Sequence, residues 1–106
     1  MKMVLLSKYQ AKKFYKIHDG KPFYKDLIDF ITRGPVIVAV LNKKNAVEDF
    51  RSLIGATDPN KAENGTIRKL FAKSVGENAI HGSDSDDNAK IESSFHFSTN
   101  EIFNEI

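Results

Sequence analysis

The run Pro35-Val36-Ile37-Val38-Ala39-Val40-Leu41 constrains this chain more than any other stretch. It is continuously apolar and rich in β-branched residues, so it reads as a central strand covered on both faces. A strand of that kind needs helices or further strands to shield it. It is also far shorter than the roughly 20 apolar residues of a membrane-spanning helix.

The flanking segments are patterned to supply that cover. Lys2 to Leu6 reads as a short strand, and Ser7 caps a helix whose apolar side carries Ala11, Phe14 and Tyr15, with His18 at its end. Asp19-Gly20-Lys21-Pro22 breaks this helix. Phe23, Leu27, Phe30 and Ile31 then recur at helical spacing up to the stop at Gly34-Pro35, so the two helices form a hairpin. After the apolar run, Asn45 is placed to cap a third helix with Ala46, Phe50, Leu53 and Ile54 on one face, ended by Gly55. Turn formers fill Gly55 to Gly65, an ordered surface loop long enough to suggest a functional role, and apolar spacing resumes at Ile67, Leu70 and Phe71. Asn78 to His81 reads as a third strand and Asp84 to Phe97 as mostly helix. Ser98 caps a last short turn through Phe103. Strands alternating with helices give an α/β (α+β) sandwich in one domain, residues 1–106, without repeats, linkers or low-complexity segments.

Charge and cysteine content narrow the function. The 16 basic and 14 acidic residues are mixed along the chain, with the basic ones thinning out after Lys73. A general nucleic-acid binder wants a clustered basic face, so this class is disfavoured. The chain has no cysteine, which removes disulfide and thiolate chemistry and makes the cytoplasm the default compartment. The first residues carry a single Lys before too brief an apolar stretch to resemble a signal peptide.

Candidate chemistry falls in two places. Lys8, Lys12, Lys13, Arg51 and Arg68 are possible anion binders, although a basic residue on a helix is usually just solvated. Spacing singles out Arg51 in the last turn of the third helix, Thr57 beyond Gly55, and Arg68 after the loop. Two guanidiniums and a hydroxyl on one rim would make a polyphosphate clamp, because guanidinium forks match phosphate oxygens. The second place is His81. Gly82 would let a ligand approach the backbone, while Ser83 and Glu92 offer groups to orient the imidazole. Taken alone, this leaves His81 open between a reactive group and a packed one. His18 and His96 read as capping, packing or exposed residues. The three histidines are far apart in sequence, and no metal cluster is expected from them.

The segment "NAIHGSDS" resembles the active-site signature of the nucleoside diphosphate kinases. "KPFY" with Leu27, "RGPVIVAVL", "FRSLIGATDP", "NGTIRKLF" and "VGENAIHGSDS" also follow in that family's order and spacing, over nearly the whole chain. The resemblance implies a ferredoxin-like fold with a four-stranded sheet. It also implies a ping-pong phosphotransferase that moves the γ-phosphate of a nucleoside triphosphate to a histidine and then to a nucleoside diphosphate, with Mg2+ held mainly by the nucleotide phosphates. By match to the family motifs, His81 is the phosphorylated histidine, Glu92 and Ser83 orient it, and Tyr15 stands near it. Arg51, Thr57 and Arg68 hold phosphates, Asn78 reaches the sugar hydroxyl, and Phe23 and Leu27 flank the base. Sandwiching a base between apolar groups would tolerate ATP, GTP, GDP and other nucleotides alike. Ala56 to Gly65 matches a subunit-contact loop, Asp84 a turn-stabilising aspartate, and the implied partner is a second copy in a homo-oligomer. No membrane and no specific nucleic acid is implied.

Family members carry a strand ending in Lys-Pro-Asp, then a helix, ahead of the segment matched here. Neither is found in this chain, and Lys2, Lys8, Lys12 and Lys13 do not correspond to that lysine, so the fold is expected to be N-terminally truncated with unpaired strand edges. Two readings follow. The first is a nucleoside diphosphate kinase; the alternative is a catalytically impaired remnant that binds nucleotide or subunits. Losing one donor to a moving phosphoryl group costs roughly 10²- to 10³-fold in rate.

Overall fold

The computed structural model describes residues 1–103. Strand β1 (Lys2–Val4) leads into helix α1 (Lys8–Phe14), a 3-10 turn at Lys16–His18, and helix α2 (Tyr24–Ile31). Strand β2 (Val36–Val38) is followed by α3 (Ala46–Ile54), α4 (Ile67–Phe71), α5 (Asp86–His96) and a 3-10 turn at Thr99–Glu101. Among the described residues, no helix is long and apolar enough to cross a membrane.

The expected helix hairpin forms. Ser7 closes a capping box with Gln10, each side chain bonding the other residue's backbone N–H, which satisfies donors that the first turn leaves open. Ala11 and Tyr15 of the first arm pack on Leu27 and Ile28 of the second, ringed by Phe14, Phe23, Tyr24 and Ile31. Burying Leu27 and Ile28 contributes about 1.5–3 kcal/mol each. Tyr15 thus anchors the hairpin and reaches the site described below.

The strands differ from expectation. The run from Val36 to Leu41 is paired only over Val36–Val38, antiparallel to Lys2–Val4, with Val36 opposite Val4 and Val38 opposite Lys2. With one partner strand, the alternation of a half-buried strand returns: Val36 and Val38 are half-buried while Ile37 is 57% exposed. The stretch is therefore not covered on both faces. The four-stranded sheet implied by resemblance is represented, among the described residues, by this pair. The expected strand at Asn78–His81 is absent, because Ala79 takes a left-handed φ of 70° and the Ile80 N–H donates to the Asn78 carbonyl at 2.8 Å. That tight turn breaks any extended ladder just ahead of His81.

The end of α3 is fixed as expected, but its start is not. Asn45 makes no side-chain cap; it adopts the left-handed conformation, which Asn tolerates better than most residues, and its carbonyl accepts from Asp49. Gly55 ends the helix at φ 87°, and a Cβ there would lie 2.5 Å from Thr66 Oγ1. Glycine is required twice over, for its backbone and for the close approach of Thr66. Thr66 in turn caps α4, accepting from the Lys69 N–H while donating to the Glu63 carbonyl. The intervening loop is built around Asp58, whose side chain accepts from the Asn60 N–H, with Pro59 and Ala62 buried.

Candidate active site

His81 stands where the tight turn meets the start of α5, and two consecutive residues at the end of α1 hold its ring. Phe14 meets it edge-on at 5.1 Å between centroids and Tyr15 at 5.9 Å. The imidazole keeps 35% of its side-chain surface exposed, so it is clamped and still reachable.

Glu92 fixes the ring's orientation. Its Oε1 lies 2.6 Å from His81 Nε2 and 2.7 Å from Ser83 Oγ. Burial pushes the Glu92 carboxyl up, but hydrogen bonds from His81 and Ser83 outweigh it and hold the group below its ordinary value. An ionised carboxylate only accepts, so Nε2 carries the proton and Ser83 donates its hydroxyl hydrogen. Nδ1 is left with its lone pair free, which makes it the nucleophilic atom. Helix α5 delivers Glu92 because Ser85 caps its first turn by accepting from the Asn88 N–H at 3.1 Å, while the Asn88 side chain donates to Asp84. The Asn88 bond, aided by the charge of Arg51, holds Asp84 below the usual carboxylate range.

Tyr15 is neutral throughout ordinary conditions. Burial first, and the nearby Glu92 charge second, push its hydroxyl up to about 12 despite the opposing charge of Arg68. It can therefore donate a hydrogen bond but does not serve as a base near neutral pH.

Gly82 has a different role from the one expected. A Cβ there would lie 2.9 Å from Ile54 Cδ1 and 3.0 Å from Phe50 Cδ2. The missing side chain admits α3, rather than a ligand, against the segment that carries His81.

Arg68 also departs from expectation. It is only 5% exposed, donating from Nη1 to the Gly55 carbonyl at 3.1 Å and from Nη2 to the Ile80 carbonyl at 2.8 Å. Two of its five donors thus tie the end of α3 to the residue preceding His81, which leaves one further N–H on each terminal nitrogen. Its Nε is buried without a partner, and burial and the neighbouring Arg51 charge both lower its pKa. Arg51 and Thr57 are exposed. Arg51 lines an open depression of about 800 Å³ with Gly55, Lys61, Glu63, Thr66 and Asp84, and His81 is not among its lining residues.

The expected base and sugar contacts divide in the same way. Phe23 presents a half-exposed ring beside His18, whereas Leu27 belongs to the hairpin core. Asn78 is buried under the turn that its carbonyl closes. His81, Ser83, Glu92 and Tyr15 are brought together directly. The cluster also contains Phe14, His18 and His96, which sequence reasoning did not single out as functional. Phe14 sits 4.9 Å from the His96 ring, and Tyr15 sits 6.0 Å from that of His18. The available signal was a pair of adjacent aromatics at a helix end, which by itself is the ordinary look of a core.

A family model described as nucleoside diphosphate kinase matches residues 1–102. The nucleoside diphosphate kinase of Flavobacterium psychrophilum is 57% identical over 103 residues, covering 97% of this chain and 74% of that protein. That of Chlorobaculum tepidum is 55% identical over 102 residues, covering 96% and 73%. Among solved structures, the Aquifex aeolicus nucleoside diphosphate kinase superposes with a TM-score of 0.89 at 39% identity, over 96% of this chain and 74% of that one. The Halobacterium salinarum nucleoside diphosphate kinase in complex with CDP also gives 0.89, at 36% identity over 99% and 70%.

Proposed function

This chain belongs to the nucleoside diphosphate kinase family, a family of phosphotransferases acting on nucleotides, and from that membership we propose how its residues divide the work. His81 Nδ1 accepts the γ-phosphoryl group of a nucleoside triphosphate and passes it to a nucleoside diphosphate. The observation that carries this reading is the Glu92 carboxylate on Nε2, which selects the Nε2–H tautomer of the neutral ring and so turns the lone pair of Nδ1 outward in a fixed direction. In-line attack forms the Nδ1–P bond as the bridging P–O bond to the β-phosphate breaks. The diphosphate leaves, a second diphosphate enters, and the same geometry runs backwards.

Ser83 and Glu92 hold the imidazole and stabilise the positive charge that it develops during attack. Tyr15 offers a neutral hydroxyl at the same centre. Arg51 and Thr57, both exposed, contact the phosphates, and the buried Arg68 turns its remaining terminal N–H groups and its charge to the same purpose. Phe23 stacks on the base with Leu27 supporting the wall beneath it, and Asn78 meets the sugar hydroxyl. A flat apolar contact without edge-specific bonds suits several bases equally.

Transfer in this family needs a divalent metal, and we assign Mg2+. Glu92 is engaged by His81 and Ser83, and Asp84 by Asn88, so the carboxylates nearest His81 already have partners. When bound, the ion would be held mainly by the nucleotide phosphates and would supply charge neutralisation there, with these carboxylates left to position His81 and its turn. The loop from Ala56 to Gly65 is the segment through which we expect copies of the chain to associate, in the cytoplasm.

Incubation with γ-labelled ATP and Mg2+ tests the mechanism. Label should appear on His81, be lost in acid, and pass to added GDP. His81→Ala should remain unlabelled and folded; transfer at the original rate by that variant would overturn the assignment.

A further inference from the structure

His18, His81 and His96 come from three separate segments and meet around the adjacent rings of Phe14 and Tyr15. On one flank, Phe14 lies 5.1 Å from His81 and 4.9 Å from His96. On the other, Tyr15 lies 5.9 Å from His81 and 6.0 Å from His18. The nucleotide-facing flank is already accounted for by Phe23 and Tyr15. The opposite flank is not. His96 sits in the last turn of α5, one turn beyond Glu92, and lines a groove of about 520 Å³ with Val4, Leu5, Leu6, Gln10, Lys13 and Phe95. A residue needed only to fill this position could be a further phenylalanine, like its neighbours Phe95 and Phe97. Instead it can carry a proton, and the groove gives that proton a route from solvent.

Resting on the reading of His81 as the phosphoryl acceptor, we propose that His96 is an ionisable positioning residue for the phosphorylated centre. It binds a proton more readily beside phospho-His81 than beside free His81, so it stabilises the phosphoenzyme as pH falls.

The charged and titratable groups around His96 explain both states. Burial, the imidazole of His81 and Lys2 of β1 all disfavour its cation, Glu92 of α5 favours it, and the net direction is downward from the ordinary histidine value. Lys13 of α1, across the groove, adds a further positive charge to the same surroundings. The free enzyme therefore keeps His96 neutral at neutral pH. Phosphorylation puts between one and two negative charges on His81, only one ring away. Phe14 packs against both imidazoles, so part of the space separating them is filled by an apolar ring, which screens less than water does. A protonated His96 also gains the face of Phe14 as a cation–π partner. At the upper limit of roughly 10 Å that the two ring distances set, an effective dielectric of about 25–50 converts one added charge into about 0.5–1 pH unit, a three- to ten-fold effect.

The sign follows from linkage. A histidine whose pKa is raised by phosphorylation takes up a proton when the Nδ1–P bond forms and releases it to solvent when the phosphoryl group leaves. Phosphoenzyme is favoured as pH falls through the window between the two His96 midpoints, and above both midpoints the contribution vanishes.

The test uses the full chain with ATP and Mg2+ in excess, then nucleotide removal by rapid gel filtration. The His96 ring resonance, identified by its absence from His96→Phe, is titrated by NMR before and after phosphorylation. Its midpoint should rise by about 0.5–1 pH unit when His81 is labelled. In parallel, the labelled fraction at a fixed ATP:ADP ratio is measured from pH 5 to 8, a range that extends below the depressed His96 midpoint. His96→Phe keeps the ring and His96→Gln keeps a neutral polar group, and both should lose a three- to ten-fold part of the wild-type rise toward pH 5. Labelled His81 with an unmoved His96 midpoint, or variants with the wild-type pH dependence, would overturn the proposal while leaving His81 as acceptor. No label on His81 would overturn the underlying reading and the proposal with it.

Discussion

Arg68 Nη2 donates to the carbonyl of Ile80 at 2.8 Å, so the residue immediately before His81 hangs from a guanidinium that is itself almost wholly buried. The same side chain reaches the Gly55 carbonyl through Nη1. One arginine thus sets the distance between the end of α3 and the histidine segment, which makes it a structural brace as well as a charge.

Arg68→Ala should therefore damage stability before it damages affinity. It deletes two hydrogen bonds from a charged donor and leaves two carbonyls facing an empty volume, at a cost of about 2–4 kcal/mol. Urea unfolding should show a lower midpoint with an unchanged slope. A variant that unfolds at the wild-type urea concentration but binds triphosphate poorly would show that the brace is unimportant.

Glu92→Gln should preserve the fold and remove the charge that selects the Nε2–H tautomer. We expect kcat to fall about 10²-fold with KM nearly unchanged, because the lost interaction strengthens only as His81 becomes positive. Steady-state rates at several triphosphate concentrations separate the two parameters, and a rise in KM alone would assign Glu92 to binding.

Gly55→Ala should cost more than Gly82→Ala. At Gly55 the new methyl meets the β-branched Thr66 at 2.5 Å and the backbone is left-handed, so strain and collision add, giving about 2–4 kcal/mol. At Gly82 the contact is with the outer atoms of Ile54 and Phe50, which can shift, giving about 1–2 kcal/mol. Thermal unfolding of both variants ranks them directly; the reverse order would contradict the packing described.

Glu101 links the two ends of the described chain. Its carboxylate accepts from the Ser98 backbone N–H at 2.9 Å and forms an ion pair with Lys2 at 3.1 Å. These contacts, the backbone bond foremost, pull its pKa from an ordinary 4.5 to about 2. A depressed carboxylate pKa contributes stability above 4.5 that is lost as pH falls toward 2. Glu101→Gln should consequently unfold at a lower temperature than wild type at pH 6, with the gap closing between pH 4.5 and 2. A gap that is constant with pH would remove the ion pair and the charged bond as its cause.

Much of the fold was legible because it is written in short-range terms. Ser7 ahead of the first helix, Gly55 after Ile54, and the spacing of Ala11 with Tyr15 and of Phe23 with Leu27 act within a turn or two of the chain, and the helices form near where those signals stand. The apolar run from Val36 misled because burial on both faces depends on what packs there, and β-branched residues do not specify their partners. Asn78 to His81 misled for a related reason: nothing in an Asn-Ala-Ile-His string announces a left-handed Ala79, which is held by the turn around it.

The sequence by itself determined the family and the order of the helices, and its family motif grouped His81, Ser83 and Glu92, because the turn ahead of α5 and the helix itself bring Glu92 back toward the segment it starts from. Tertiary structure alone decided that Gly82 makes room for α3, that Arg68 is a buried brace, and that His96 stands one ring behind His81. Those contacts join residues far apart in the chain, and which of them form depends on the packing of whole elements against one another, which no local preference encodes.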